Sequence, residues 1–119
     1  MRPHYEDLEV PQGSHYRFQI QMYTGEGSRR DLTNVELVRG KLNYSYQASD
    51  SDSVEFLCLV DAPPTKGIIN CTLTDVDTDS LDRRRYLYDI EMVVNSGGHA
   101  IVERVLEGKV IVDKSITKF

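Results

Sequence analysis

The chain has 119 residues, 39% of them hydrophobic and 28% charged, with a formal net charge of −5, which bounds it to one domain with one modest core. No apolar run approaches the roughly 18 residues of a membrane helix, and Met1–Asp7 lacks the apolar stretch of a secretory signal, so a soluble, unexported chain is expected. The acidic balance argues against duplex nucleic acid, whose phosphates demand a surplus of Lys and Arg on one face, and Arg83-Arg84-Arg85 is offset by Asp75, Asp77, Asp79 and Asp82 just upstream.

In chain order, Leu8 and Val10 predict a short edge strand, placed where Pro11 costs no ladder bond. Pro11-Gln12-Gly13-Ser14 is a turn. Tyr16, Phe18, Ile20 and Met22 then alternate with Arg17, Gln19 and Gln21, the pattern of a half-buried strand. Thr24–Asp31 is a loop by composition. From Val35 to Tyr46 a second alternating strand puts Val38, Leu42, Tyr44 and Tyr46 on the apolar face, with Gly40 among them predicting a bend. After the polar turn Asp50–Ser53, Val54, Phe56, Cys58 and Val60 share a face with Glu55 opposed, and the Pro63-Pro64 link leads to a strand with Ile69, Cys71 and Leu73 inward.

Thr74–Asp82 predicts one short helical turn, with Thr or Asp as N-cap and acids in the first turn. Arg85–Asn95 and Ala100–Val112, joined by Ser96-Gly97-Gly98-His99, predict a long terminal hairpin with Tyr86, Tyr88, Ile90 and Met92 facing Val102, Leu106 and Val110. The sum is an all-β, two-sheet antiparallel sandwich of about seven strands. A partly closed barrel shares the same alternation.

Little in the chain points to chemistry. Cys58 and Cys71 share parity with core residues, so both are expected inward, reduced and without a redox role. Asn43-Tyr44-Ser45 and Asn70-Cys71-Thr72 match a glycosylation acceptor but lie in predicted strands. Asp75, Asp77 and Asp79 open like a calcium loop, yet Ser80 replaces its glycine and Tyr86 its distal Glu, so no metal site is expected. His4, His15 and His99 lack ligand spacing. No nucleophile elbow, Walker loop or dinucleotide fingerprint occurs, and no enzyme or cofactor is expected. Tyr16, Tyr44, Tyr86 and Tyr88 fall on apolar faces as core or rim residues, leaving Tyr5 and Tyr23 for a contact surface.

Three stretches resemble small virion structural proteins of tailed bacteriophages, the immunoglobulin-like modules of tails and baseplates that include the amino-terminal domain of baseplate upper proteins. The first is Val10–Ser14 with the Tyr16–Met22 strand and Arg30-Asp31-Leu32-Thr33-Asn34-Val35, similar to that family's Asp-Leu-Thr-Gly bend with Asn34 in place of glycine. The second is Thr72-Leu73-Thr74 leading to Arg85-Tyr86-Leu87-Tyr88-Asp89-Ile90. The third is Arg104–Val112, closed by Ile116-Thr117.

The resemblance covers nearly the whole chain and implies an immunoglobulin-like domain over residues 1–119 with extended terminal tails, located in a virion, without catalytic residues. It implies a structural component of tail, baseplate or neck that binds other virion proteins, forms a homo-oligomer in the particle, and contacts neither nucleic acid nor membrane. Repetition in a symmetric particle would multiply weak contacts. The expected contact elements are Arg2–Leu8, the Gly25–Arg30 loop and Lys114–Phe119, with Tyr5, Leu8, Tyr23, Arg29, Arg30 and Phe119 as contact residues. The alternative is a carbohydrate- or receptor-binding module on the same fold.

Overall fold

The computed structural model describes residues 4–45, 47, 49 and 53–114. Its strands are β1 (His4–Tyr5), β2 (Leu8–Pro11), β3 (Tyr16–Gln21), β4 (Val35–Asn43), β5 (Val54–Val60), β6 (Ile68–Leu73), β7 (Arg85–Ser96) and β8 (His99–Asp113), with one helical turn, α1 (Asp75–Asp79). A 3-10 turn, Pro64–Lys66, sits in the proline link. The strands β2 to β7 follow the predicted alternation, β8 follows it only after Val105, and the helical turn falls inside the predicted segment.

The architecture differs from the expected sandwich. The strands form one eight-stranded sheet in the order β1-β8-β7-β4-β5-β6-β3, with β2 also beside β8, and this sheet curls into an open half-barrel. The continuity comes from β5. Its start, Val54–Phe56, pairs with β4, while Leu57–Val60 pairs with β6. Nor is the sheet wholly antiparallel, because β1 and β2 run parallel to β8 along residues Leu106–Glu107 and Val110–Asp113. The amino-terminal stretch expected as a tail is therefore an edge of the sheet from His4 onward, and Leu8 and Val10 belong to the core.

The core is a single cluster running from Val10 and Val110 through Ile90, Met92 and Leu42 to Ile69, Cys71 and Leu73. A run of aromatic contacts crosses it from β3 to β7: Tyr16–Phe18, Phe18–Phe56 and Phe56–Tyr88, with ring centroids 6.0, 5.9 and 5.9 Å apart. Such pairs hold the curl by joining strands that are not ladder neighbours. The ladders run through Gly40 without a bulge. It stands between Phe56 and Ile90 in register, and a Cβ there would overlap the Ile90 Cδ1, so the glycine makes room for the isoleucine. The irregularity in β4 lies at Val35/Leu37 instead.

In the terminal hairpin the register passes from Ile90↔Leu106 to Glu91↔Arg104, so Val105 is an extra residue. Val105 and Leu106 are both buried. The bulge reverses facing on the distal half of β8, and Val102, expected inward, is 62% exposed. Tyr44, also expected on the apolar face, lies beyond the end of β4 with the Arg83 guanidinium 4.0 Å over its ring. Tyr46, the turn residues 50–52 and the carboxy-terminal residues 115–119, including Phe119, lie outside the described residues.

The helical turn α1 is tied to the turn between β2 and β3. Thr74 and Asp77 form a reciprocal capping box, which satisfies two amides at the helix start. The buried Thr78 hydroxyl donates to the Ser14 carbonyl at 2.8 Å, and the Gln12 amide donates to the Leu81 carbonyl at 3.1 Å. The β2–β3 turn is thereby fixed to the helix. Asn34 has no positive φ, so its place in the bend needs no glycine.

Candidate functional site

The strands β2 and β3 are joined by a short turn, yet they do not pair: β2 bonds to β8 and β3 to β6. Between β3 on one side and β1 with β8 on the other lies a groove of about 510 Å³. Phe18, Ile20, Met22, Val105 and Leu106 supply its apolar surface, while His4, Glu6, Tyr23 and Glu103 stand around it. Phe18, Ile20 and Met22 pack on the core but stay only half-buried.

The β1 side of the groove is held by backbone. The Glu6 amide donates to the Glu107 carbonyl at 2.9 Å, and the Tyr88 hydroxyl donates to the Glu6 carbonyl at 2.6 Å. Where β1 gives way to β2, the Asp7 carboxylate accepts from the Lys109 amide at 3.1 Å. Burial, then the Glu6 carboxylate, pushes the Tyr88 hydroxyl above the ordinary phenol range. Tyr16 is raised likewise, by burial and then by Glu6 and Glu9.

The predicted contact residues separate. Tyr5 is 59% exposed on β1 and Tyr23 51% exposed beyond β3. Tyr23 bridges to Arg29, whose guanidinium lies 5.2 Å over its ring, and its hydroxyl donates to the Gln21 side chain. Leu8 is used within the domain itself. Arg30 is committed internally as well: it donates through two nitrogens to the two Glu103 carboxylate oxygens, each at 2.8 Å. The groove mouth thus gathers Tyr23, His4 and the Arg30–Glu103 pair from distant parts of the chain.

Arg30 holds the Glu103 carboxyl below its usual range, chiefly through that hydrogen bond. A lowered folded value means stability that is present above the unfolded pKa and lost as pH falls through the folded one. Both side chains are partly exposed, so Glu103→Gln should cost about 1 kcal/mol or less at neutral pH. Urea melts across pH should show that difference shrinking as pH falls below the unfolded glutamate value of about 4.3 and disappearing once pH passes the lowered folded value.

Other exposed features were not anticipated. Leu37, Val93 and Val102 lie in register across β4, β7 and β8 on the outer face, beside the row Arg39, Glu91 and Arg104. Leu57 and Leu59 point outward from β5. Their signal is in the sequence, since Val54–Val60 is apolar on both parities with Glu55 as its one charge. A wider hollow of about 680 Å³ beside Pro11 and Asp113 is bordered by Lys114, next to the undescribed carboxy-terminal residues.

The two cysteines face each other in register across β5 and β6. Both are turned inward as expected: Cys71 is buried, and Cys58 is half-buried against the core. A hydrogen bond to Cys58 and then burial raise the Cys71 thiol, keeping it protonated and unreactive. Thiol reagents should label Cys71 only on unfolding and Cys58 slowly; rapid labelling of both in the folded protein would contradict this placement.

Among the described residues no group of three or more His, Cys, Asp or Glu side chains is placed to hold a metal. Two of the candidate calcium acids serve the helix start: Asp77 accepts from the Thr74 amide at 3.1 Å and Asp75 from the Val76 amide at 3.0 Å. Thermal melts in chelator and in millimolar calcium should therefore coincide, and a rise of several degrees with calcium would show that these acids ligate it.

No family model matches the chain, and neither does any curated protein. Among solved structures, the chain is similar to the N-terminal domain of ORF48 from phage TP901-1, with a TM-score of 0.53 and 13% sequence identity over 96% of this chain and 100% of that one. At that identity the likeness is one of fold.

Proposed function

We propose that this chain is a non-enzymatic structural component of a phage virion, acting through protein–protein contacts in the tail, baseplate or neck. The observation that carries this reading is the whole-length fold likeness to a domain of a phage protein. The short motifs of the Tyr16–Val35, Thr72–Ile90 and Arg104–Val112 stretches support it independently. Its surface suits such a role: apolar rows stand on the outer face of the sheet, and one inner edge is open. In a symmetric particle, contacts of this size gain strength from repetition rather than from individual area.

An epitope-tagged chain expressed during growth of its phage should sediment with purified particles, in a fixed copy number by quantitative mass spectrometry. Failure to co-sediment while the protein is abundant in the lysate would overturn the reading. A glycan array tests the carbohydrate-binding alternative. Tyr23 and Tyr44 each turn one ring face to an arginine, which favours protein contact over sugar stacking at those rings, and no glycan binding is expected.

A further inference from the structure

We propose that the groove between β3 and β1 receives an extended segment of a neighbouring protein, with apolar side chains at alternate positions and at least one Lys or Arg, which adds a strand to β3. That the neighbour is a virion protein rests on the functional reading above.

The two edges of the half-barrel differ. On one side, residues 4–11 carry Glu6, Asp7, Glu9 and Pro11, features that discourage edge pairing. On the other, β3 pairs with β6 through six consecutive residues without a bulge, contains neither Pro nor Gly, and has Arg17 as its single charge. Natural edge strands of this length are ordinarily blunted or covered. This one is not blunted.

The backbone of β3 is oriented for pairing. The Met22 amide donates to the Gly67 carbonyl at 2.7 Å, so Met22 faces Gly67 in a hydrogen-bonded pair. Antiparallel ladders alternate bonded and non-bonded pairs, which turns the amides and carbonyls of Arg17, Gln19 and Gln21 away from β6. Gln19 and Gln21 accordingly line the groove, although the Gln19 side chain bonds to Asn70. Side chains at alternate positions of an added strand would meet the half-buried Phe18, Ile20 and Met22.

Charge selects the occupant. The β1 wall carries the Glu6 carboxylate, whereas Glu103 is already neutralised by Arg30. A basic extended segment complements this. A second copy pairing through its own β3 would set Arg17 against Gln21 and leave the Glu6 carboxylate unanswered.

The isolated protein tests this with two blocked hexapeptide probes, KVTVKV and EVTVEV. The basic probe should bind saturably below about 1 mM and slow amide exchange at Arg17, Gln19 and Gln21. Gln19→Pro removes an amide that β6 does not use, and should weaken binding about tenfold or more while the melt moves by only a few degrees. Glu6→Lys, which leaves the backbone untouched, should reverse the preference between the two probes. Equal binding of both probes, protection at other amides, or no saturable binding would overturn the proposal. So would a concentration-dependent dimer abolished by Gln19→Pro, which would make a second copy the occupant. Absence from particles would instead sink the virion reading and leave the peptide result standing.

Discussion

Truncating Ile90 to alanine should lower the stability of the domain by about 2–5 kcal/mol, a large part of what a single domain of this size possesses. Ile90 is fully buried at the middle of β7, paired with Leu106 on one side and Gly40 on the other. Its Cδ1 occupies the space that a side chain at position 40 would need. Removing it leaves a cavity whose wall is backbone on the Gly40 side, so the surroundings have little freedom to collapse. In urea the midpoint should fall with an unchanged slope.

The partner substitution sharpens the test. Gly40→Ala alone should destabilise by overpacking against Ile90, but combined with Ile90→Ala it should cost less than the sum, because each change relieves the other. Val102→Ala, at an exposed position on the same hairpin, should lie within about 0.5 kcal/mol of the parent. If Ile90→Ala melts like the parent, or if the two core changes are additive, the packing of β4 against β7 described above is wrong.

Alternation made most strands legible, because a residue's face follows from its parity as long as register is unbroken. Tyr16–Gln21 and Ile68–Leu73 could be read this way, and so could Tyr86, Tyr88, Ile90 and Met92. The failures share one cause. Parity carries no information about an extra residue, and Val105 is one, so everything in β8 before it faces opposite to the reading that places Val102 with Leu106. Nor does parity distinguish two sheets from one curled sheet. That choice is made by β5, whose halves take different partners, and nothing in Val54–Val60 marks the change.

The candidate site was legible in its parts rather than its arrangement. Tyr23 is marked by lying off the apolar faces and Thr24–Asp31 by composition, whereas nothing local ties Arg30, an expected contact residue, to Glu103, 73 residues away. The amino-terminal stretch looked like a tail because parallel pairing with the last strand is a long-range fact without a local signature. Gly108 was the one hint. A glycine inside a strand marks either a bulge or a close approach of backbone, and here it serves the close approach of Glu6.

Replacing Gly108 with alanine should therefore strike the amino-terminal strand and cost about 2–4 kcal/mol. A Cβ at this position would overlap the carbonyl carbon and oxygen of Glu6, with the Tyr88 ring beside it. The obstacle is backbone, so no rotamer change relieves it, and β1 must move. Once it moves, the Tyr88 hydroxyl and the Glu107 carbonyl lose the Glu6 partners they now hold at 2.6 and 2.9 Å. Tyr88→Phe separates the two contributions: it removes only the hydroxyl and should cost about 1 kcal/mol, leaving β1 in place. Amide exchange decides the matter, because in Gly108→Ala the Glu6 and Lys109 amides should lose protection together while the β4–β7 ladder keeps its own. Since Glu6 forms one wall of the groove, the same variant should also lose binding of the basic hexapeptide, which Tyr88→Phe should retain. A Gly108→Ala protein with parental stability and a protected Glu6 amide would mean that β1 does not lie across β8 at this point.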